Sequence, residues 1–592
     1  MKRQLAALLL LASSLLWGQA SPERYAKDVT TLAAPNMQGR GAGTRGLDRA
    51  RDYIQKRFAA LKLQPAGTQG YLQPFTVTTG AKLNPGNQMS VRINEKKESF
   101  AITRDFIPFS FSAKRDVQGP IVFAGYGITA ADQNYDDYFH FDVKDKIVVL
   151  LRYEPPSLTK KAGQRTGHAQ LVNKAINARN RGAKAVILVN GKLGEKEEDI
   201  LPRFGSLAGP EDIGIVMVQV KNSIADKWLQ LAGKSLAKVQ EEIDASSTPQ
   251  SFALPDTAWA MVKVDLERVS ATVSNVAAYL PGQTDEYIIL GAHYDHLGYG
   301  NGSSLAPSMI GKVHHGADDN ASGSSGLLEL ARILSEKKDR KRGVLFLAFA
   351  AEEIGLLGSN YWANHPTKPL NNAVAMLNMD MIGRIKPDGR LFLGATGSGS
   401  TFKATLEQLA PKHPQLKLET SGAGSGSSDH LSFLAKQVPS LFFFSGLHGD
   451  YHKPSDTAEK IEAAQAARLL DFIADLTLTL DRSERAQFIR VEEPRPVSAA
   501  GGSGYGPWFG SVPDMAENAG GVKFADVRPN SPAEKAGLKA GDVMTQFGDK
   551  PIKNLYDFTY ALRQYKIGDT LDVTVLRDGK PLTVKVTLEQ RK

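Results

Sequence analysis

Four short apolar runs in the second half of the chain set its organisation: residues 287–290, 344–349, 374–377 and 441–444. Each has the length of a buried strand, and helical patterns lie between them, which predicts a largely parallel sheet. Polar clusters follow these runs. They are Gly291-Ala-His-Tyr-Asp-His296, Ala350-Ala-Glu-Glu-Ile-Gly355, Asn378-Met-Asp-Met-Ile-Gly383 and Gly449-Asp-Tyr-His-Lys-Pro-Ser-Asp456. A fifth, Gly316-Ala-Asp-Asp-Asn-Ala-Ser-Gly323, stands just before a helix that begins near Ser322. Ligand sites of open α/β folds form at the carboxyl edge of the strands, so these polar groups are expected to meet there.

The periodicity elsewhere divides the chain. Residues 46–63 read as an amphipathic helix, with Ala50, Tyr53, Ile54, Phe58 and Leu61 at helical spacing. Before it, Met37-Gln-Gly-Arg-Gly-Ala-Gly-Thr44 has three glycines, as a backbone that turns tightly or approaches another segment needs. No Lys-Ser/Thr follows, so it is not a phosphate loop. Residues 119–127, 146–152 and 185–189 read as strands and 169–181 as a helix, an inserted α/β module without a His-carboxylate cluster. A long helix over 458–480 closes the central region. Pro494, Pro496 and Gly501-Gly-Ser-Gly504 mark a linker before a small last domain. The expected boundaries are a leader over 1–20, a main domain over 21–115 and 256–487, the insert over 116–255, a linker over 488–505 and the last domain over 506–592.

Composition changes this picture in three places. With 592 residues the chain needs several cores. Lys2 and Arg3 precede an apolar stretch over 5–17 and the small-x-small site Gly18-Gln-Ala20, the pattern of a cleaved signal peptide. The expected location is therefore the periplasm or outside the cell, and with no second long apolar run, no membrane span is expected. The absence of cysteine excludes disulfides, a thiol nucleophile and thiolate metal ligands. Net charge is +9, and loss of Lys2 and Arg3 leaves +7. The basic residues are interleaved with acids, a solvated surface rather than a nucleic-acid site.

Candidate chemistry lies in the clusters. Carboxylates brought together repel unless they protonate or share a cation. His with Asp/Glu and no Cys suits zinc. Asp295, two residues after His293, could fix that imidazole's tautomer. Asp318 and Asp319 admit helix capping and metal bridging, one role for each. Glu352 and Glu353 follow a strand directly, and a metal-assisted hydrolase needs two distinct carboxylates there, a ligand and a proton carrier. Asp380, set among Met379, Met381 and Ile382, needs a partner if buried. His452 lies in a loop, and Tyr451 beside it is a packing residue or an oxyanion donor. Ser428-Asp-His430 lacks the G-x-S-x-G elbow of a serine hydrolase.

Together these residues resemble the co-catalytic di-zinc aminopeptidases, family twenty-eight of the metallopeptidases. The resemblance implies a mixed, largely parallel sheet flanked by helices. It implies two zinc ions, Asp318 bridging them, Glu353 and His452 on one, His293 and Asp380 on the other. Glu352 would be the base that activates a metal-bridging water, Asp295 an orienter of His293, and Tyr451 a support for the tetrahedral intermediate. The bond between Asp318 and Asp319 would be cis. The segment over 37–44 matches that family's Gly-Arg-rich signature. The insert resembles a protease-associated (PA) domain through residues 146–151 and 181–189. Residues 506–592 resemble a PDZ domain through Phe509-Gly510 and the stretch over 527–543, although Ser511 stands where a hydrophobic residue is usual. The implied function is removal of N-terminal residues from peptides with a free N-terminus, with peptide C-termini as candidate partners of the PDZ domain. The alternatives are a glutamate-carboxypeptidase-like or dipeptidase activity on the same site, for which Arg384 would serve a substrate carboxylate, and a non-catalytic peptide-binding scaffold.

Overall fold

The computed structural model describes residues 19–590, apart from 131–132, 160–165, 193–198, 200, 203, 206–210, 302, 423–427, 491–506, 515–519 and 529. The leader over 1–20 and the linker over 488–505 thus lie almost wholly outside the described residues. The chain forms two compact units, residues 1–79 with 270–494, and 80–269 with 495–592.

The first unit is built on a nine-stranded sheet. Its first helices are α1 (Pro22–Leu32) and α2 (Arg45–Ala60), the latter burying Leu47, Ala50, Ile54 and Phe58 on one face. Strands β1 (Leu266–Leu280) and β2 (Tyr287–His293) follow, then α3 (Gly323–Ser335), β3 (Gly343–Phe349), β4 (Ala373–Met379), β5 (Ser440–Phe444) and α4 (Ala463–Arg482). β3 and β4 flank β2 in parallel, and β5 joins β4 in parallel. β1 runs antiparallel to β3, as does Arg390–Gly394 to β5, so the sheet is mixed at its flanks. Every residue of β2, β3 and β4 is buried, the continuous apolar pattern of a sheet covered on both faces. The four parallel strands therefore end at one edge with His293, Phe349, Met379 and Phe444, each next to a polar cluster.

The second unit holds another nine-stranded sheet, whose parallel centre is Asp116–Ala124, Ile147–Leu151, Ala185–Val189 and Val216–Val220. This sheet also takes in Gln88–Ile93, Lys96–Phe100 and Phe106–Pro108, residues that the sequence reading gave to the peptidase domain. Phe106–Pro108 pairs with Val216–Val220, while Lys96–Phe100 pairs with Gln88–Ile93, and that strand with Ala258–Lys263, which in turn pairs with Asp116–Ala124; this pairing fixes where they fold. The last domain is a six-stranded sheet with one longer helix, Leu555–Arg563. That helix packs on the insert's helix Leu171–Asn180. The Tyr560 hydroxyl donates to Asn177 Oδ1 at 2.7 Å, and Arg179 pairs with the buried Asp557 at 2.7 Å.

Candidate active site

The polar clusters meet at the carboxyl edge. His293, the last residue of β2, directs Nε2 to Asp380 Oδ1 at 3.3 Å and Asp319 Oδ1 at 3.5 Å. His452 directs Nε2 to Asp319 Oδ2 at 3.2 Å and Glu353 Oε2 at 3.1 Å. The Asp319 carboxylate therefore stands between two histidine-carboxylate groups and turns one oxygen to each. Two donors on one tetrahedral zinc, with bonds of about 2.0–2.2 Å, lie roughly 3.3 Å apart. The four separations match that spacing. His293 Nε2 is buried and has no hydrogen-bond partner, as expected of a ring nitrogen directed at a cation site. The donor set thus fits a pair of zinc ions, one bounded by His293, Asp319 and Asp380, the other by Glu353, Asp319 and His452.

Here the structure corrects the sequence reading by one residue. Asp318 does not face both groups. Its Oδ1 accepts the Gly383 amide at 2.7 Å, and its Oδ2 faces His448 Nε2 at 3.1 Å. The cis peptide likewise lies at Asp319–Asn320, not between Asp318 and Asp319. Neither aspartate caps the helix, since Asn320 Oδ1 accepts the Gly323 amide at 2.9 Å. Buried Asp456 fixes the turn by accepting the amides of Asp318 and Asp319.

Glu352 Oε2 is 3.9 Å from His293 Nε2, beside the site. Burial pushes its carboxyl well above the usual range, and the His293 ring offsets this only in part. Glu353 behaves oppositely. Burial would raise it, but His296 and His452 hold it well below the usual range. Two adjacent glutamates are thus separated in acidity by what faces them. Burial would lower His452, but Asp319 and Glu353 override it and bring the ring up to about 11.

Asp295 sits behind these groups with no exposed surface. Its carboxylate accepts the amides of Glu352 at 3.0 Å and Glu353 at 3.3 Å, and Oδ1 lies 3.8 Å from His293 Nδ1. It orients the glutamate turn more closely than it orients His293, whose Nδ1 is 3.3 Å from the Asp295 carbonyl. Tyr451 stacks on His452 at 3.9 Å, and burial raises its hydroxyl well above its ordinary value.

His296 takes part in the site although the strand pattern gives it no role. His296 Nδ1 is 2.6 Å from Glu353 Oε1, which leaves Oε2 of that carboxylate for His452. Its signal was the second histidine of His-Tyr-Asp-His. Ser428-Asp-His430 forms no triad. Ser428 accepts from Asn378 Nδ2 at 2.9 Å, and the His430 ring stacks on Phe442. Arg384 is engaged by Asp450 at 3.4 Å.

Three segments of the chain match known protein families. Residues 275–477 match Peptidase family M28, 117–228 match the PA domain and 509–588 match the PDZ domain. The chain is similar to Aminopeptidase YwaD of Bacillus subtilis, 26% identical over 375 residues, which cover 62% of this chain and 68% of that one. A probable leucine aminopeptidase of Arthroderma otae is 30% identical over 200 residues, 32% of this chain and 53% of the relative, so the match spans about half of that fungal protein. Among solved structures, an aminopeptidase from Aneurinibacillus sp. strain AM-1 shares the fold, with a TM-score of 0.51 at 23% identity over 81% of this chain and 98% of that one.

Proposed function

We propose that the chain is a zinc-dependent aminopeptidase of the M28 type, exported and working with two co-catalytic zinc ions and Glu352 as its proton carrier. The observation that carries the two-ion reading is the Asp319 carboxylate, one oxygen toward His293 and Asp380, the other toward His452 and Glu353. When bound, the ions would polarise the scissile carbonyl and acidify water. Glu352 takes the proton from the attacking water and passes it to the leaving amine, a transfer worth about 10²–10⁴-fold in rate. Its position beside His293 and its burial, which raises the carboxyl above the ordinary range, suit that task. Tyr451, kept protonated by burial, donates a hydrogen bond to the developing oxyanion. Asp295 holds the turn that aims both glutamates. The substrate's free amine is received beside the carboxylates of Glu352 and Asp380.

The alternatives have less support. A carboxypeptidase needs a free cation for the substrate carboxylate, and Arg384 is already paired with Asp450. A non-catalytic scaffold would have no need of a complete donor set with Glu352 beside it. The leader pattern supports export, and among the described residues no helix is long and apolar enough to cross a membrane. The PDZ domain is proposed to receive peptide C-termini beside Phe509 and Gly510. The test is a panel of aminoacyl anilides, with zinc removed and restored, run against release of a C-terminal glutamate. Zinc-dependent anilide cleavage is expected. Glutamate release without anilide cleavage would refute the reading.

A further inference from the structure

We propose that Arg40 positions the two loops that carry the histidine and aspartate donors, an inference that rests on the di-metal reading above. Arg40 belongs to the glycine-rich stretch over 37–44, which the proposed chemistry leaves unused. It has no exposed surface. Its guanidinium donates from Nε to the Tyr294 carbonyl at 2.8 Å, from Nη1 to the carbonyls of Leu32 at 2.7 Å and His315 at 2.8 Å, and from Nη2 to Gly316 at 2.7 Å. Tyr294 lies between His293 and Asp295. His315 and Gly316 lead directly into Asp319. Leu32 ends α1. One side chain therefore ties together the end of a helix and both donor loops, which are far apart in sequence.

The main chain is woven into the same place. The Arg40 carbonyl accepts the His296 amide at 3.1 Å, and the Gly39 carbonyl accepts the Gly298 amide at 2.9 Å. Gly39 has φ of 65°, and a Cβ there would overlap the carbonyl oxygens of Gly298 and His314. That close approach is what the glycines of this stretch permit.

Each of these four bonds goes to a main-chain carbonyl, none to a carboxylate. A buried charge without a paired counter-ion is costly. Burial lowers the Arg40 guanidinium to about 10, and Asp319, Asp295, Asp456 and Glu353 act against that at longer range, so it stays charged. A rigid planar fork with several donors suits such a clamp, and a lysine ammonium cannot reproduce it.

The two possible roles of Arg40 predict opposite signs. If it acted chiefly by charge, its removal would leave the site more negative and strengthen zinc binding. If it positions the loops, removal weakens zinc binding. Arg40→Lys keeps the charge without the fork, and Arg40→Gln loses both. In the full chain, zinc affinity is measured by competition with a chromophoric chelator, folding by thermal melting, and hydrogen exchange over 293–298 and 314–319. Both variants should fold, bind zinc about 10–100-fold more weakly, the range found for groups that orient metal ligands, and exchange faster in those two loops than in α4. Unchanged affinity in both, or tighter binding by Arg40→Gln, overturns the proposal. So does failure of both to fold, which would mark Arg40 as a general core residue. Wild-type protein that takes up no zinc would overturn the metal reading itself, and this inference with it.

Discussion

Exchanging the two adjacent aspartates for asparagine should have unequal effects. Asp319→Asn removes an anionic donor that both histidine groups face, at 3.5 Å and 3.2 Å. Each candidate zinc position then loses one of its three nearest protein donors. If each loss costs at least as much as losing an outer partner of a ligand, about 10–100-fold, the combined fall is about 10²–10⁴-fold. Asp318→Asn retains an oxygen for the Gly383 amide and loses its carboxylate toward His448. That is one hydrogen bond, about 0.5–1.5 kcal/mol of stability, with zinc content unchanged. Metal content after dialysis and anilide turnover should be measured on both variants. If Asp318→Asn sheds zinc while Asp319→Asn keeps it and turns over, the geometric assignment is wrong.

Glu352→Gln should keep its zinc and lose about 10²–10⁴-fold in kcat; normal turnover would remove Glu352 from the mechanism. Asp557→Ala strands Arg179 in a largely buried position and should cost the second unit about 3–5 kcal/mol, read from its urea midpoint, whereas Tyr560→Phe should cost only about 0.5–1.5 kcal/mol. Asp450 is held down to about 2, first by its hydrogen bond from Lys460, then by Ser455 and Arg384. A carboxyl lowered in the folded state adds stability above its unfolded value of about 3.9 and loses it as pH falls through about 2. Asp450→Asn should therefore melt earlier than wild type at pH 6, with the gap closing toward pH 2; a constant gap would contradict this.

Much of the site was legible because strand ends are marked in sequence. Uninterrupted apolar runs announce β2, β3 and β4, and a parallel sheet has one carboxyl edge, so His293, Glu352, Glu353 and Asp380 had to be neighbours. The distinction between Asp318 and Asp319 was not legible. The turn over 317–322 departs from helical dihedrals at Asp319 and Asn320, and the partners that decide it, Gly383 and Asp456, are remote in sequence. Arg40 was hidden for a related reason: a guanidinium bonded to carbonyls leaves no pattern in the residues that it touches. The strands over 88–108 were assigned to the peptidase domain because domain membership depends on backbone pairing, and short strands carry little periodicity.

The account depends most on two cations lying on either side of Asp319. Crystals of the zinc-loaded protein, measured across the zinc absorption edge, should show two anomalous peaks. One should lie among His293, Asp319 and Asp380, the other among Glu353, Asp319 and His452. A single peak, or a peak at Asp318 and His448 with none at Asp319, would contradict it.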